Sequence, residues 1–369
     1  MMEKKIKVGI THGDFNGIGY ELIFKTLADD RITEMCTPVI YGSLKIALYH
    51  QKMMELPQVS FKNIHSSADA YEGKVNIVNC IDQEAKVDFA KATAESGKAA
   101  YAALERAVSD LKNGTIDVLL TAPINKHATW SDNFRFPGHT EYLENHFSKD
   151  NATKSLMMLV GDSLRIALVT AHIPIAAVST SITKELIANK IRLFDKSLRQ
   201  DFNILRPRIA VLALNPHAGD NGVIGTEEAE IITPAIEEVE KSGVLVFGPF
   251  PADGFFGSER HKQFDGVLAM YHDQGLIPFK TIAMEQGVNF TAGLPIVRTS
   301  PAHGTAYDIA GQNKASETSF RQALYLSLDI HRNRLTYKEI SSNPLQKHYV
   351  DKGSDNVKLD LTKDEDIDS

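Results

Sequence analysis

The chain has 369 residues, of which 43% are hydrophobic and 24% charged, a typical globular composition that allows two lobes around a cleft. Its net charge is −7, and no basic runs alternate with aromatic residues, which argues against a nucleic-acid-binding protein. The longest apolar stretch, residues 166–178, is interrupted by threonine, histidine and proline and is too short to cross a membrane.

The beginning of the sequence and its cysteines predict a cytoplasmic location. Residues 1–14 pass from a lysine-containing start into an apolar strand and lack the apolar core and cleavage site of a signal peptide. The two cysteines, Cys36 and Cys80, are far apart. This is typical of a reducing compartment and excludes a cysteine-rich zinc site.

A glycine-rich turn follows the first predicted strand. The strand covers residues 6–10, and the turn, residues 11–21, opens a short helix. Such a loop can cradle a ligand, but an ordinary turn is an equally good interpretation because neither G-x-G-x-x-G nor G-x-x-x-x-G-K-[ST] is present. The later SGK at residues 96–98 lacks the first glycine of a phosphate loop and instead belongs to a helix predicted over residues 90–112.

Polar residues recur just after predicted strands, at the edge where open α/β sheets bind ligands. A buried strand over residues 117–121 leads to Asn125 and Lys126. Three more strands each deliver a histidine at or just beyond the carboxyl end. These strands cover residues 164–170, 209–214 and 267–270, and their histidines are His172, His217 and His272.

The three histidines indicate a metal site when they are taken together. A single histidine in such a position is more often a satisfied polar residue than a ligand, but three in equivalent positions favour a metal. Three neutral imidazoles with a fourth position open are a pattern of catalytic Zn²⁺. Such a metal can polarise a hydroxyl, a ketone or an enolate oxygen.

Residues 264–311 contain donors suited to an anionic substrate between short apolar runs. Lys280, Asn289 and Arg298 supply these donors. The glycine of the pair His303-Gly304 lets the backbone approach a ligand closely. The segment therefore predicts anion contacts beside a ligand-binding loop.

Three features lie outside that segment. His139 and Thr140 follow a Pro-Gly turn and are predicted at a helix amino terminus, which is a natural anion site. A capping role for Thr140 is the plainer alternative. Asp253 lies in a proline-rich loop, where it could act as a base or simply form a turn. The acidic tail, residues 350–369, is predicted to be disordered.

Eight motifs stand in one order over most of the chain. They are GDFNGIGYE, TAPINK, PGHTEYL, TAHIPI, LNPHAGDNGVIGTEE, GPFPADG, YHDQGLIPFK and TSPAHGTAYDIAG. Together they closely resemble the 4-hydroxythreonine-4-phosphate dehydrogenase family of vitamin B6 synthesis. The last motif is also similar to the adenine-side loop of isocitrate and isopropylmalate dehydrogenases, the larger superfamily.

This resemblance implies an α/β, two-lobed isocitrate/isopropylmalate dehydrogenase-like fold with the active site in the interlobe cleft. The first lobe would cover residues 1–135 and 295–345. The second lobe, residues 136–294, would carry the metal site and the contacts of a homodimer. NAD, or alternatively NADP, would bind without a Rossmann fingerprint.

The resemblance also assigns roles residue by residue. The implied metal ligands, at a site shared across the dimer interface, are His172, His217 and His272, with Zn²⁺ as the expected metal and Mg²⁺ or Co²⁺ as alternatives. The implied substrate contacts are His139, Thr140, Lys280, Asn289 and Arg298. The implied catalytic residues are Asp253, Asp273 and Lys280. The cofactor is placed near His303, Gly304, Thr305, Ala306 and Asp308.

The implied reaction is oxidation of 4-phosphooxy-L-threonine by NAD⁺ and decarboxylation to 3-amino-2-oxopropyl phosphate, in pyridoxal 5'-phosphate biosynthesis. A related dehydrogenase of 4-phospho-D-threonate or 4-phospho-D-erythronate is the alternative, since one contact can distinguish an amino group from a hydroxyl. A non-catalytic metal- or NAD-binding protein and a phosphate acyltransferase are remoter alternatives. No nucleic acid or membrane partner is expected.

The sequence departs from the family pattern in its first loop. The family usually has GDP-x-GIGPE, and Phe15 and Tyr20 replace both prolines here. Because proline fixes φ, we expect a more mobile loop and two aromatic side chains that reshape the mouth of the cleft. Ala302 stands where the family often has an acidic residue. These changes leave the metal set intact and the fine substrate specificity open.

Overall fold

The computed structural model describes residues 4–81, 85–130, 134–136, 138–148 and 155–343. In this part of the chain, twelve strands form one mixed sheet. Their bounds are β1 Ile6–Thr11, β2 Cys36–Gly42, β3 Phe61–Ile64, β4 Val75–Asn79, β5 Val118–Thr121, β6 Leu156–Val160, β7 Arg165–Leu168, β8 Arg208–Leu212, β9 Leu245–Phe250, β10 Gly266–Ala269, β11 Val288–Ala292 and β12 Arg298–Pro301. Their order in the sheet is β3-β4-β2-β1-β5-β12-β11-β6-β7-β10-β8-β9.

Helices connect most of these strands. Their bounds are α1 Gly19–Leu27, α2 Arg31–Met35, α3 Leu44–Met53, α4 Ala94–Lys112, α5 Lys126–Thr129, α6 His139–Phe147, α7 Val178–Ser181, α8 Lys184–Gln200, α9 Thr233–Glu240, α10 Ala252–Gly257, α11 His272–Ala283 and α12 Thr318–Ser342. Helix α4 starts four residues later than predicted because the Thr93 side chain caps it by accepting a hydrogen bond from the Ser96 N–H. The predicted disordered tail lies outside the described residues. Within those residues, no helix combines the length and the apolar character needed to cross a bilayer.

Two parallel sets of strands run in opposite directions. The strands β3, β4, β2, β1, β5 and β12 form one set. The strands β7, β10, β8 and β9 form the other. Between the sets, β11 is antiparallel to β12 and β6, and β6 is antiparallel to β7. In this order, the strands of the two predicted lobes form two separate halves of one sheet. The lobe boundaries stay a prediction.

Helix α8 shows how the sequence pattern builds the core beside the strand-end histidines. Thr183 caps the helix by accepting a hydrogen bond from the Leu186 N–H at 3.1 Å. The helix buries a stripe at helical spacing, made of Ile187, Ile191, Phe194 and Leu198. A Cβ atom at Gly266, the first residue of β10, would overlap the Phe194 ring. This glycine therefore lets α8 pack close against the strand that leads to His272.

Gly97 has a packing role and not a phosphate-binding one. It lies inside α4, as predicted, and a Cβ atom there would overlap the backbone carbonyl of Ala128 in α5. The glycine therefore lets α5 lie directly against α4. This contact fixes the position of Lys126, the first residue of α5.

The expectation that Phe15 and Tyr20 reshape the mouth of the cleft is wrong. Both residues are fully buried in the core. The Tyr20 ring stacks on His12 with centroids 5.2 Å apart, and its hydroxyl accepts a hydrogen bond from the Ser43 N–H at 3.0 Å. Burial of aromatic area with a satisfied hydroxyl stabilises the folded state, so these residues anchor the first loop from inside.

Candidate active site

Three histidines follow three neighbouring strands of the sheet. Strands β7, β10 and β8 are adjacent and parallel, so their carboxyl ends lie at the same edge. His172 follows β7, His217 follows β8, and His272 begins α11 just after β10. The predicted strand-end positions of the three histidines are therefore confirmed, and their role as metal ligands stays a prediction.

His172 and His272 lie side by side at this edge. Their ring centroids are 5.8 Å apart, and the two side chains are 37% and 33% exposed. The Nδ1 atom of His172 lies 3.3 Å from Oε1 of Glu141, and Nδ1 of His272 lies 2.6 Å from Oδ1 of Asp273. A carboxylate at Nδ1 leaves Nε2 of each ring available, which is the usual arrangement of metal-binding histidines.

His217 stands apart from these two rings. It is exposed and lies in the turn Pro216–Gly222, with a left-handed φ of 53°. Among the described residues, no three histidine, cysteine or acidic side chains are grouped closely enough to hold one metal ion. One chain thus presents two of the three predicted ligands together.

A pocket of about 200 Å³ lies over the middle of the sheet, and we call it the central pocket. Arg298 and Ser300 of β12 and Asn289 of β11 line it on one face, because Asn289 pairs with Ser300 and side chains two residues apart on a strand share a face. Further lining residues come from α5, α6, the segment after β7 and the loop after β12. They include Lys126, His139, Thr140, Glu141, His172 and His303.

Arg298 places a buried positive charge in the central pocket. Only 3% of the residue is exposed. Its Nε and Nη2 atoms donate to Oγ1 of Thr121 at 3.1 and 2.7 Å, and Nη1 donates to Oγ1 of Thr291 at 3.3 Å. Burial lowers the pKa of Arg298 to about 10, so the guanidinium is still charged at neutral pH. Its hydrogen-bond partners are neutral hydroxyls, so an anionic ligand would add to the countercharge that the nearby Glu141 carboxylate supplies to this buried cation.

Helix α6 begins in the central pocket with His139 and Thr140, as predicted. Gly138 precedes the helix and no side chain caps it, so Thr140 is not a capping residue. Burial and the nearby positive charges hold the pKa of His139 well below its usual value, and its imidazole is neutral at pH 7. Among the described residues, Nε2 of His139 and Oδ1 of Asn289 are buried without a partner. Buried polar atoms of this kind are normally paired, so both indicate a ligand.

Glu141 is a residue of the central pocket that the sequence analysis did not single out. It is the third residue of α6, and in the described structure its Oε2 atom is buried without a partner. Burial raises the pKa of Glu141, but the hydrogen bond with His172 and the charge of Lys126 hold it below its usual value. The carboxylate is therefore ionised at neutral pH. A signal was available, because the residue after His139 and Thr140 shares their helical turn.

The predicted catalytic residues Asp253, Asp273 and Lys280 are not among the residues that line the central pocket. Asp253 in α10 and Asp273 in α11 line a second cavity, of about 590 Å³, together with apolar residues such as Ile277. Lys280 lies two turns beyond the start of α11 and is exposed. We use the name edge cluster for His217, Asp253 and Lys280, which come from the segments that follow β8, β9 and β10. None of its three members is among the residues that line the central pocket.

The predicted cofactor loop forms one wall of the central pocket. His303 and Gly304 line the pocket, and the space where a Gly304 side chain would lie is open. Burial lowers the pKa of His303, which keeps its imidazole neutral. The loop continues through Ala306, which has a left-handed φ of 44°, to the exposed Asp308.

The first loop packs directly against this cofactor loop. The carbonyl of Thr305 accepts a hydrogen bond from the Ile18 N–H at 3.2 Å, and the Tyr307 hydroxyl donates to Asp14 at 2.7 Å. A Cβ atom at Gly17 would lie 2.8 Å from the Thr305 carbonyl oxygen. The glycine therefore allows the first loop to lie in direct contact with the cofactor loop.

Comparison with known proteins identifies the family. The model of the pyridoxal phosphate biosynthetic protein PdxA family matches residues 34–327. A 4-hydroxythreonine-4-phosphate dehydrogenase of Bacteroides thetaiotaomicron is 56% identical over 367 residues, which cover 99% of this chain and 100% of that protein. A protein of Oceanobacillus iheyensis, provisionally named D-threonate 4-phosphate dehydrogenase, is 37% identical over 89% of this chain and 99% of that protein.

A solved structure supports the same conclusion. The crystal structure of 4-hydroxythreonine-4-phosphate dehydrogenase from Klebsiella pneumoniae is 33% identical, with a TM-score of 0.77 over 90% of this chain and 99% of that chain. This likeness and the mixed sheet confirm the predicted fold class. The chain therefore belongs to the family of the pyridoxal phosphate biosynthetic protein PdxA.

Proposed function

We propose that this protein oxidises 4-phosphooxy-L-threonine with NAD⁺ and a divalent metal, and that the product loses CO₂ to give 3-amino-2-oxopropyl phosphate. The observation that carries the proposal is the buried guanidinium of Arg298, which shares one pocket with His172 and with the loop beginning at His303. The dehydrogenase names of the relatives and the family's link to pyridoxal phosphate biosynthesis support this reaction.

The central pocket would bind the phosphate and the carboxylate of the substrate. The Arg298 guanidinium offers a planar fork of donors that suits either anion. Lys126 adds a second positive charge. The start of α6, at His139 and Thr140, presents backbone N–H groups at a helix amino terminus, which favours an anion. The amide of Asn289 then completes the polar wall.

The proposed metal ligands are His172, His217 and His272, with Zn²⁺ as the first choice and Mg²⁺ or Co²⁺ as alternatives. The support for this assignment is that His172 and His272 each have a carboxylate at Nδ1, which leaves Nε2 for a metal. A bound divalent cation supplies Lewis acidity at the substrate's secondary hydroxyl, and NAD⁺ supplies the hydride acceptor.

The proposed chemistry balances without a further reactant. NAD⁺ would supply the acceptor for the hydride of the carbon that bears the hydroxyl, and the hydroxyl proton would pass to a carboxylate, either Asp253 or Asp273. The resulting β-keto acid breaks the bond to its carboxyl carbon and releases CO₂. A proton then adds to the carbon left behind. Donors of the central pocket hold the substrate during both steps, so its anionic groups stay fixed.

A homodimer would bring the edge cluster of one chain to the central pocket of its partner. The strand edge that carries His172, His217 and His272 also exposes large apolar side chains. They are Ile173, Ile175, Val223, Ile224 and Ile277, of which Ile175 and Val223 are 71% and 81% exposed. Exposed apolar side chains gathered near a site are typical of protein interfaces. The interface would therefore supply His217, Asp253 and Lys280 to a shared site.

A second candidate function is oxidation of the amino-free acid 4-phospho-D-threonate or 4-phospho-D-erythronate. The name of the Oceanobacillus iheyensis relative favours it. The same donors would bind its phosphate and carboxylate, so the proposed machinery is common to both candidates. The amino-free acids differ from 4-phosphooxy-L-threonine at the carbon next to the oxidised one, which carries a hydroxyl in place of the amino group.

NADH formation by the purified protein tests the proposal and separates the two candidates. We expect turnover with 4-phosphooxy-L-threonine, with about 5- to 150-fold lower kcat/KM for the two amino-free acids, since one lost polar contact costs about 1–3 kcal/mol. A chelator should abolish turnover, and added Zn²⁺ should restore it. Preference for an amino-free acid would move the proposal to the second candidate, and no NADH with any of the three would refute both.

A further inference from the structure

Glu141 and His172 both line the central pocket, and their side chains are in contact. Its Oε1 atom is 3.3 Å from Nδ1 of His172, and the residue belongs to α6, whereas His172 follows β7. The contact therefore joins two elements that are separated along the chain. The next acidic residue of α6, Glu144, has a different partner, because its Oε1 accepts the Ser155 N–H at 2.7 Å.

The contact with Glu141 affects which ring nitrogen of His172 carries the proton. A neutral imidazole carries one N–H group and one lone pair, and a neighbouring carboxylate can only accept a hydrogen bond. A carboxylate at Nδ1 therefore favours the tautomer with the proton on Nδ1 and the lone pair on Nε2. A metal binds the lone pair, so the tautomer decides which ring nitrogen is available.

We propose that Glu141 is a positioning residue that holds His172 in the Nδ1–H tautomer, with Nε2 directed to the metal. The proposal rests on the proposed role of His172 as a metal ligand. The same arrangement recurs at His272, whose Nδ1 lies 2.6 Å from Asp273. Glu141 is less exposed than Asp273, since the two side chains are 31% and 70% exposed. A less exposed acceptor meets less competition from water, so it holds the ring more firmly.

The tautomer can be measured without any metal. Long-range ¹H–¹⁵N spectra of histidine-labelled, metal-free protein at pH 8 distinguish the two tautomers, and a His172→Gln variant assigns the signals. We expect the Nδ1–H tautomer of His172 in the wild type and in Glu141→Gln, whose amide oxygen is still an acceptor. Glu141→Ala should lose this preference. The matched control Glu144→Gln, on the same helix, should keep it.

Metal affinity supplies the second measurement. Removing the outer partner of a metal-binding histidine typically weakens metal binding by about 10–100-fold. We expect this loss of Zn²⁺ affinity in Glu141→Ala by calorimetry, a smaller loss in Glu141→Gln and none in Glu144→Gln. A wild-type Nε2–H tautomer, or an unchanged tautomer in Glu141→Ala, would overturn the proposal. If the wild type binds no Zn²⁺, the proposed metal site fails, while the tautomer still decides whether Glu141 orients His172.

Discussion

Replacing Arg298 by Gln is expected to lower kcat/KM for 4-phosphooxy-L-threonine by about 1000-fold. Truncating one member of a buried, hydrogen-bonded charge pair costs about 4 kcal/mol of binding free energy. Each 1.4 kcal/mol of this loss lowers kcat/KM about tenfold. The variant should still fold, because Gln can donate to the Thr121 hydroxyl and the change removes a desolvated charge from the interior. Steady-state NADH formation measures the loss.

A surface arginine provides the control for this variant. Arg192 of α8 forms an ion pair with Glu238 in which both side chains are more than 40% exposed. Because exposed pairs contribute little, Arg192→Gln should change kcat/KM less than twofold. Wild-type turnover by Arg298→Gln would show that the guanidinium does not bind the substrate, and the central pocket would lose its assigned role.

Lowering the pH from 7 to 5 is expected to cost about 4 kcal/mol of unfolding free energy through two buried histidines, His12 and His50. Both are fully buried. Burial lowers the pKa of His12 to about 4 and that of His50 to about 3. The unfolded chain, with histidine pKa values near 6.5, therefore binds more protons below that pH. The contribution of these two histidines to the free energy of unfolding is complete above about pH 6.5 and decreases as the pH drops toward the folded-state pKa values.

Urea unfolding at pH 7, 6 and 5 measures this loss. His12 and His50 should each contribute about 2 kcal/mol by pH 5, so His50→Leu should make the pH-dependent loss of unfolding free energy about 2 kcal/mol smaller than in the wild type. The exposed His65 is the control, and His65→Gln should leave the pH dependence unchanged. An identical pH dependence in His50→Leu and in the wild type would contradict the buried, neutral state of this ring.

The strand ends of the sheet could be predicted from the sequence because the apolar runs of parallel strands stop abruptly at polar residues. This pattern correctly placed His172, His217 and His272 after their strands, while their role as metal ligands stays a prediction. The neighbours of Arg298 could not be predicted in the same way. Its partner Thr121 is 177 residues away in sequence, and only the pairing of β12 with β5 brings the two together.

The incorrect expectation for Tyr20 has a physical cause. The sequence pattern placed this residue in a loop beside a cleft, but it is the second residue of α1, a helix that is buried on nearly all sides. An aromatic side chain in such a helix gains more from burial than from lying at a pocket mouth. Glu141 was missed although it shares a helical turn with His139 and Thr140, since residue types do not reveal its contact with His172 in a separate element.

Residue types and spacing alone also could not show that the proposed site residues are divided within one chain, and only the resemblance to the family implied a site shared between two chains. Arg298, His139 and His172 share the central pocket, whereas Asp253 and Lys280 do not line it. Residue types and spacing are the same whether a site forms within one chain or between two. The proposed site is therefore complete only when a second chain supplies the edge cluster.

Complementation between two inactive variants tests this central claim most directly. Arg298→Gln removes a residue of the central pocket, and Lys280→Gln removes one of the edge cluster. Co-expressed with different tags, the two chains should form mixed dimers with one intact site. Since half of randomly paired dimers are mixed and one of two sites is intact in each, activity should reach about a quarter of the wild-type value. Activity no higher than that of the separate variants would contradict a site shared between two chains.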